Sequence, residues 1–342
     1  MIRVLIAEDS ASSRAYLKYI VESAEDMEVV AIAENGEQAA ELTCRLRPDV
    51  VAMDIHMPVL DGYSATRKIM AQCPTPVVIV SALVNGNAAQ ETFRILEAGA
   101  VAAVPKPSGP TSKAATQDRD KLLRTLRQVA GIDLSISNAA TADYATPCAI
   151  VKKSCRHRLV VVGASTGGPV ALQAMLRQLP ATFPLPVLVV QHISPGFVPG
   201  MVEWLKNSCN LPICVAENGQ RIEGGVVYFA PDNVHMTVCP TGRIVLKEAP
   251  MIHNVRPAVS YLFQTAAKSY GADVIGVLMT GMGRDGAAEL LMLQQGGATT
   301  LIQEKSSCVV YGMPGEAERL GAGQYKLSPE RIGQQLVRLC CS

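Results

Sequence analysis

The chain has 342 residues, of which 49% are apolar and 18% charged, a balance that excludes an intrinsically disordered protein. Its 31 basic and 30 acidic residues leave a net charge of +1, and aromatic residues make up only 4%. These values argue against a protein that coats nucleic acid or stacks single-stranded bases, which needs a basic excess or aromatic platforms. The length suggests about two domains.

The cysteines and the N-terminus indicate the compartment. The ten cysteines form no C-x-x-C pair, and their spacing fits neither a zinc site nor a disulfide framework. The N-terminal segment MIRVLIAEDS lacks the layout of a signal peptide, and no apolar run approaches the length of a membrane span. We therefore expect a cytoplasmic protein with no membrane insertion and with reduced cysteines, most of them packed as small core hydrophobes.

Five short apolar runs alternate with helical stretches in the first 131 residues. The runs are rich in Val and Ile, are too short for helices, and are typical of parallel strands buried on both faces. They cover residues 2–7, 29–33, 50–53, 77–80 and 101–104. The helical stretches cover residues 12–24, 36–47, 63–72, 88–98 and 116–129. Such β-α repeats predict a doubly wound α/β domain.

A change of composition divides the chain. Residues 132–156 begin small and polar and end basic, which predicts an interdomain linker. Residues 157–342 return to a β-α rhythm with more Gly- and Pro-containing loops. Strands are predicted at 159–163, 186–191, 226–229, 274–279 and 299–302, and a helix at 169–179. The predicted domains are thus residues 1–131 and 157–342.

Acidic residues of the first domain cluster at predicted strand ends. Glu8 and Asp9 close the first strand and Asp54 closes the third. Because ligands of open α/β sheets collect at the carboxyl ends of the strands, these carboxylates form an oxygen-rich site suited to Mg²⁺. Ser81 closes the fourth strand and Lys106 follows the fifth. This combination suits phosphoryl transfer onto a carboxylate.

The motifs AEDS, MDIHMPVLDG, VSA and PKP, in this order, resemble the receiver domain of two-component response regulators. The resemblance covers residues 1 to about 122. It implies that Asp54 accepts a phosphoryl group from a histidine kinase and that Ser81 and Lys106 sense that group. The implied Mg²⁺ ligands are Glu8, Asp9, Asp54 and the backbone carbonyl of His56.

Two acidic residues need separate interpretation. The family often has aspartate where this chain has Glu8, so the geometry of the metal site is expected to differ. Asp61, in the sequence LDG, is better interpreted as a helix cap than as a metal ligand.

The second domain opens on the sequence VVVGASTGGPVALQAML, a strand, a Gly-rich turn and a helix. Residues 163–167 read G-x-S-x-G, a pattern that exposes Ser165 at a helix N-terminus, where free N–H groups favour developing negative charge. Dinucleotide binding is the alternative, but G-x-G-x-x-G needs a glycine in place of Ser165. It also needs an acid at the end of the next strand, where Gln191 and His192 stand.

A serine nucleophile needs a base, and the base needs an orienting acid. His192 ends the next strand and Asp285 follows the strand at 274–279, so both are expected at the sheet edge that holds Ser165. Asp273 precedes its strand and is expected at the opposite edge, whereas Asp232 stays open as a rival acid. His157 is expected to be solvated in the basic linker. His235 and His253 are expected in loops, more as surface or structural residues than as residues that line the site, and the second alternative stays open.

The motifs GASTGG, QHI, TGMGRDG and YGMP resemble the catalytic domain of the chemotaxis protein-glutamate methylesterases, the CheB family, over about residues 155–342. The resemblance implies Ser165 as nucleophile, His192 as general base and Asp285 as orienting acid. Thr166 and the backbone N–H of Met282 are the implied helpers or oxyanion donors. No cofactor is implied for this domain. Residues 256–260, RPAVS, depart from some family members, which leaves the receptor-facing surface open.

Together the resemblances imply a flavodoxin-like (βα)5 receiver followed by a doubly wound α/β methylesterase domain. The implied activity is demethylation of glutamate methyl esters, and deamidation of glutamines, on methyl-accepting chemotaxis receptors. The family further implies that the receiver restrains the esterase until Asp54 is phosphorylated. A DNA-binding output would need a basic helix-turn-helix, which the near-neutral second half does not resemble. A phosphate- or nucleotide-binding module built on GASTGG is a further alternative.

Overall fold

Each half of the chain folds around its own parallel sheet. The computed structural model describes residues 1–81, 95–109, 112, 115–130, 132 and 156–341, and the chain divides into two units, residues 1–135 and 136–342. Most of the predicted linker, and most of the helix predicted at 88–98, lie outside the described residues. The exact domain boundaries therefore stay predictions.

The first unit is a five-stranded parallel sheet in the order β2-β1-β3-β4-β5. Its strands are β1 (Ile2–Ala7), β2 (Met27–Ala33), β3 (Val50–Met53), β4 (Val77–Ser81) and β5 (Ala102–Pro105). Its described helices are α1 (Ala11–Glu22), α2 (Gly36–Leu46), α3 (Gly62–Gln72) and α4 (Ala115–Val129). Because the order reverses at β1, the sheet is doubly wound, as predicted.

Local sequence explains where these elements begin. Strands β3 and β4 are buried at every position, as expected for apolar runs covered on both faces. The first three helices each begin after a residue whose side chain accepts a hydrogen bond from a backbone N–H of the first turn. These N-cap residues are Ser10, Asn35 and Asp61. The interpretation of Asp61 as a helix cap is confirmed.

One expectation about the cysteines is wrong. Cys44 and Cys73 form a disulfide, although reduced cysteines were expected throughout. Cys44 lies in α2 and Cys73 is the C-cap of α3, and the packing of these two helices brings the Cα atoms to 5.4 Å. A pairing across 29 residues depends on that helix packing, so cysteine spacing could not reveal it.

The second unit contains a seven-stranded parallel sheet in the order β14-β13-β12-β6-β7-β9-β8, and an antiparallel pair β10-β11. The strands on one side and at the centre are β6 (Leu159–Ala164), β7 (Val187–Gln191), β8 (Ile213–Val215) and β9 (Val227–Phe229). The hairpin is β10 (His235–Val238) and β11 (Ile244–Lys247). The other side is β12 (Val274–Leu278), β13 (Thr299–Gln303) and β14 (Tyr325–Leu327).

The described residues of this unit form six α-helices around the sheet. They are α5 (Gly168–Leu176), α6 (Val198–Lys206), α7 (Val259–Tyr270), α8 (Ala287–Gln295), α9 (Met313–Arg319) and α10 (Pro329–Cys341). The strand order reverses between β6 and β12, which creates a crevice at their carboxyl ends where ligands of such sheets bind. No helix within the described part of the chain is long and apolar enough to cross a membrane.

Truncating the core of the second unit tests its packing. Leu188 in β7 is fully buried in the main apolar cluster. We expect Leu188→Ala to lower the free energy of unfolding by about 2–5 kcal/mol, because lost burial and an unfilled cavity add. Trp204 is the only tryptophan and lies buried in α6, so its fluorescence during urea unfolding reports on this unit.

The matched control is Val170→Ala on the 38%-exposed Val170 of α5, with an expected change of no more than about 0.5 kcal/mol. A loss below about 1 kcal/mol for Leu188→Ala would show that β7 is not part of a packed core.

Candidate functional site

Ser165 lies in the tight turn between β6 and α5, at the crevice where the strand order reverses. Gly167, the N-cap of α5, has a φ of +77°, which side-chain-bearing residues rarely adopt. A Cβ on Gly167 would also lie 2.5 Å from Val309 Cβ. Glycine at this position therefore allows the sharp turn that holds Ser165 half-buried at the start of the helix.

The register of β6 and β7 brings Ser165 and His192 side by side. The last paired residues are Ala164 and Gln191, so Ser165 and His192 follow directly at the ends of neighbouring parallel strands. The backbone N–H of His192 donates to the carbonyl of Ala164 at 2.9 Å. The sequence therefore places these two residues at one sheet edge because both strands end together.

Gln191 fixes both residues, and sequence reasoning did not single it out. Its buried side-chain Nε2 donates to the carbonyl oxygens of Ser165 and His192, each at 2.8 Å. The space for this amide exists because residue 168 is glycine: a Cβ on Gly168 would lie 2.0 Å from Gln191 Oε1. A polar side chain at the end of an apolar strand was the signal available in the sequence.

The loop after β12 supports the turn from the other side through Thr280. The backbone N–H of Ser165 donates to the Thr280 carbonyl at 3.0 Å. Thr280 Oγ1 donates to the Thr166 carbonyl at 3.0 Å and accepts from the Val310 N–H at 3.0 Å. The Thr280 N–H donates to Gln303 Oε1 at 2.8 Å. The backbone of the turn is thus held in place by hydrogen bonds to Thr280, which is itself held by Gln303 of β13.

Asp285 and His192 form a buried pair. His192 Nε2 lies 2.9 Å from Asp285 Oδ2, and the two side chains are 13% and 4% exposed. Asp285 Oδ2 also accepts from the N–H of Val259 at 2.6 Å, and Oδ1 accepts from the N–H of Ser260 at 3.0 Å. Burial raises the pKa of Asp285, but the His192 imidazole at 2.9 Å and the hydrogen bond from Ser260 outweigh it, so the pKa lies below its ordinary value.

The two N–H donors of Asp285 are the first residues of α7. The N-cap of this helix is Ala258, which has no side chain able to cap it, so Asp285 takes that role from a distant loop. The positive end of the helix dipole favours a carboxylate here. Residues 256–260, which the sequence left open as a receptor-facing surface, therefore include the segment that holds Asp285.

The rival acids have other contacts. Asp232 Oδ2 accepts from the Gly196 N–H at 2.7 Å, so it is engaged in the loop that follows β7. Asp273 lies before β12, and its carbonyl accepts from the Arg158 N–H at 2.8 Å at the amino ends of the strands. Of the three acids considered, all within the described residues, Asp285 is the one whose carboxylate pairs with His192.

Two expectations about the other histidines are wrong. His157, expected to be solvated in a basic linker, is only 8% exposed, and burial lowers its pKa. His235, expected in a loop, lies fully buried in β10. Both contact distant residues, His157 near Thr299 and His235 against Tyr261, and local composition does not show such long-range contacts. His253 lies at an exposed turn with a φ of +52°.

Of the two predicted oxyanion donors, Thr166 directly follows Ser165 in the chain and Met282 comes from the loop after β12. Gly281 contacts the nucleophile closely, since a Cβ there would lie 2.6 Å from Ser165 Cβ, and Met282 follows it. Within the described residues, the backbone N–H groups of Thr166 and Met282 have no hydrogen-bond acceptor. Unused N–H groups beside a nucleophile are suited to a developing oxyanion.

A second cluster lies at the carboxyl ends of the first sheet. Glu8, Asp9 and Asp54 each offer a carboxylate oxygen, and these atoms lie within 4.8 Å of one another. Lys106 Nζ lies 2.9 Å from Glu8 Oε2 and 2.8 Å from Asp54 Oδ2. Burial raises the pKa of Glu8; burial also opposes protonation of Lys106, but hydrogen bonds to Asp54 and Glu8 raise its pKa. The cluster keeps a charged lysine against Asp54.

The donor set of this cluster fits a hard divalent cation. Three carboxylates at mutual distances below 4.8 Å are the ligand type that Mg²⁺ prefers, and Asp9 is exposed enough to admit it. Ser81 is buried beside Lys106, whose N–H donates to the Ser81 carbonyl at 2.8 Å. The backbone carbonyl of His56 stays a predicted further ligand.

The two units match known families. Residues 160–336 match the CheB methylesterase family model, and residues 4–115 match that of the response regulator receiver domain. A protein-glutamate methylesterase/protein-glutamine glutaminase 1 from Syntrophus aciditrophicus is 42% identical, over 100% of this chain and 99% of the relative. A protein-glutamate methylesterase/protein-glutamine glutaminase from Nitrosospira multiformis is 44% identical, over 99% of this chain and 97% of the relative.

A solved structure agrees. The CheB methylesterase catalytic domain of Thermotoga maritima is 36% identical with a TM-score of 0.52, covering 54% of this chain and 98% of that one. The fold and the sites define a two-unit α/β protein with a receiver domain and a serine-hydrolase-like crevice. The chain belongs to the CheB methylesterase family. The fold class and the family predicted from the sequence are confirmed.

The role of Gln191 can be measured by the reactivity of Ser165. We expect Gln191→Met to slow covalent labelling of Ser165 by a serine-directed phosphonate about 10- to 100-fold, because small displacements of reacting groups are costly. The label is quantified by mass spectrometry of the intact protein. Gln173→Met, which changes a buried glutamine in α5 that donates to Ser208, serves as the matched control and should label normally. Equal labelling of both variants would contradict the positioning role.

Proposed function

We propose that this chain is a phosphorylation-activated protein-glutamate methylesterase and protein-glutamine glutaminase acting on methyl-accepting chemotaxis receptors. The observation that carries the proposal is the buried Asp285–His192 pair, at the sheet edge where a tight turn holds the half-buried Ser165. The names of the two relatives and the match to the CheB methylesterase family model support the substrate class. That chemotaxis receptors are the substrates is proposed from the family resemblance.

The proposed reaction begins when Ser165 Oγ attacks the ester carbonyl of a methylated glutamate. His192 takes the hydroxyl proton, and the carbonyl oxygen becomes an oxyanion that the N–H groups of Thr166 and Met282 stabilise. The C–O bond to methoxide then breaks, and His192 returns the proton so that methanol leaves. Water, deprotonated by His192, hydrolyses the acyl-enzyme to glutamate and regenerates Ser165. A glutamine substrate follows the same steps with ammonia as leaving group.

Asp285 is proposed to orient His192 and to stabilise the imidazolium that forms. Its lowered pKa supports this role, because the carboxylate stays ionised at neutral pH. The lowered pKa of Asp285 also makes the free energy of unfolding depend on pH. Above the ordinary pKa of 3.8 the ionised carboxylate stabilises the native state in full. This contribution is lost as the pH falls through the lower pKa of the native state.

The proposed switch is phosphorylation of Asp54 by a histidine kinase. Glu8, Asp9 and Asp54, with the His56 carbonyl, would hold Mg²⁺, which neutralises charge on the transferring phosphoryl group. Lys106, now 2.8 Å from Asp54, is suited to contact the added phosphoryl oxygens, and Ser81 lies beside it. The acyl phosphate formed on Asp54 carries about 1.5–2 negative charges, judged by other phosphorylated side chains, in place of the single charge of the carboxylate. The cytoplasm stays the predicted location.

Removing the nucleophile or its acid tests the esterase assignment. Methanol release from methylated receptor membranes is expected to vanish in Ser165→Ala and to fall by up to about 10⁴-fold in Asp285→Asn, because the wrong imidazole tautomer is then favoured. Asp232→Asn is the matched control and should release methanol at close to the normal rate. Full methanol release by Ser165→Ala would refute the nucleophile, and a larger loss in Asp232→Asn than in Asp285→Asn would reassign the acid.

The receiver assignment is tested with a small phosphodonor. Acetyl phosphate with Mg²⁺ should phosphorylate Asp54 and raise methanol release, whereas Asp54→Asn should keep the basal rate and show no stimulation. Chelation of Mg²⁺ should block stimulation of the unaltered protein in the same way. Asp61→Asn preserves a capping side chain outside the cluster and should be stimulated normally. Stimulation of Asp54→Asn would show that the phosphoryl group acts elsewhere.

A further inference from the structure

His235 is the most completely buried histidine of the described residues, and its role is unassigned. Its exposure is 0%, and it opens the short strand β10, outside every motif that carries the family resemblance. A buried imidazole has two ring nitrogens to satisfy, so its partners define what it can hold in place.

Both ring nitrogens of His235 have backbone partners. Nδ1 accepts a hydrogen bond from the N–H of Ala258 at 3.2 Å, so this nitrogen carries no proton. Nε2, which therefore carries the proton, donates to the carbonyl of Pro250 at 3.0 Å. The ring also stacks on Tyr261, with 4.4 Å between centroids and 17° between planes. The imidazole thus ties the hairpin strand to the first turn of α7.

These contacts adjoin the backbone N–H groups that hold Asp285. Ala258, Val259 and Ser260 are consecutive, and their N–H groups go in turn to His235 Nδ1, Asp285 Oδ2 and Asp285 Oδ1. The residue that His235 holds is therefore the N-cap of the helix whose first two N–H groups hold Asp285. No side chain on the helix itself caps this end, so the orientation of these N–H groups depends on residues that come from elsewhere in the chain.

We propose that His235 is a positioning residue for the Asp285–His192 pair and that it acts through the backbone of residues 258–260. The Ala258 N–H can point only at His235 while Nδ1 is unprotonated, and this fixes the start of α7 against Asp285. His235 contacts neither Ser165 nor His192 through any bond in the described residues. Its effect on turnover rests on the proposed function, whereas its effect on Asp285 does not.

Conservative variants separate the two ring nitrogens. The shorter amide of His235→Asn would offer a side-chain oxygen near the position of Nδ1, whereas the longer amide of His235→Gln would reach the position of Nε2. We expect His235→Asn to keep kcat within about threefold and His235→Gln to lose about 10- to 100-fold, with KM little changed in both. Thr237→Val, which removes the hydrogen bond of a buried threonine in the same strand to Val245, is the matched control and should keep kcat.

Two outcomes of that comparison would overturn the proposal. Equal kcat losses in His235→Asn and His235→Gln would show that the Nδ1 contact is irrelevant. A kcat loss in Thr237→Val as large as that in His235→Gln would show that the hairpin acts only through general stability. A far-ultraviolet circular dichroism melt of each variant verifies that the proteins compared are folded.

A double-mutant cycle tests whether His235 acts through Asp285. If it does, His235→Gln should cost little further kcat in an Asp285→Asn background, because the carboxylate it positions is already gone. The effects should therefore be strongly non-additive. Additive losses would mean that His235 influences turnover by another route and would refute the proposal.

A spectroscopic readout keeps this inference separate from the esterase proposal. In protein labelled with ¹⁵N-histidine, the ring proton shared by His192 and Asp285 should give a downfield resonance, assigned by its loss in Asp285→Asn. We expect this resonance to persist in His235→Asn and to shift or broaden in His235→Gln. Persistence in both variants would overturn the proposal. If Ser165→Ala still released methanol, the esterase assignment would fail while this result stood.

Discussion

The second unit is organised around one carboxylate removed from water. Desolvation of Asp285 opposes its ionisation, and the charged form persists because His192 and two backbone N–H groups lie within bonding distance. Those groups come from the end of β7 and the start of α7, which are far apart in sequence. The crevice, the hairpin beside it and the helix must therefore all be formed before this charge is stable. Much of the architecture of the second unit therefore holds the charged carboxylate of Asp285 in place.

The same constraint explains the first unit with different chemistry. Glu8 and Asp54 are buried beside each other, an arrangement that would be unfavourable without a cation. Lys106 supplies that positive charge from the end of the fifth strand. Both units thus place charged groups at the carboxyl ends of parallel strands, where loops from several strands converge. In the first unit, several carboxylates surround the cationic Lys106. In the second unit, a single buried carboxylate, Asp285, lies beside His192.

Most of the sheet and the reactive residues could be predicted from the sequence because their signals are local. Val- and Ile-rich runs identified the five described strands of the first unit, and β6 begins and ends within a residue of its predicted bounds. Strands β8, β10, β11 and β14 were missed because three or four residues carry little periodicity, and β14 is largely exposed. The equally short β9 was found because it is a fully buried apolar run. The disulfide and the burial of His157 and His235 depend on contacts between distant segments, which composition cannot show.

In the candidate sites too, residues identified by local sequence differ from residues placed by long-range contacts. Short motifs carried Asp54, Ser165, His192 and Asp285, since each follows a strand in a recognisable sequence. The residues that hold them were harder to predict, because their function lies in backbone contacts. Gln191 donates to two carbonyls, and residues 258–260 present N–H groups whose use depends on a loop 25 residues away. A motif identifies the atoms that react, but packing determines their orientation.

The clearance at Gly168 has a consequence for how this site can lose function. Any side chain at that position would occupy the space of the Gln191 amide, which joins the ends of two strands. A single added methyl group could therefore separate Ser165 from His192 while leaving every reactive atom, and every charge, unaltered. The crevice is therefore vulnerable at a residue with no chemistry of its own, and damage there would be invisible to an inspection of the catalytic groups.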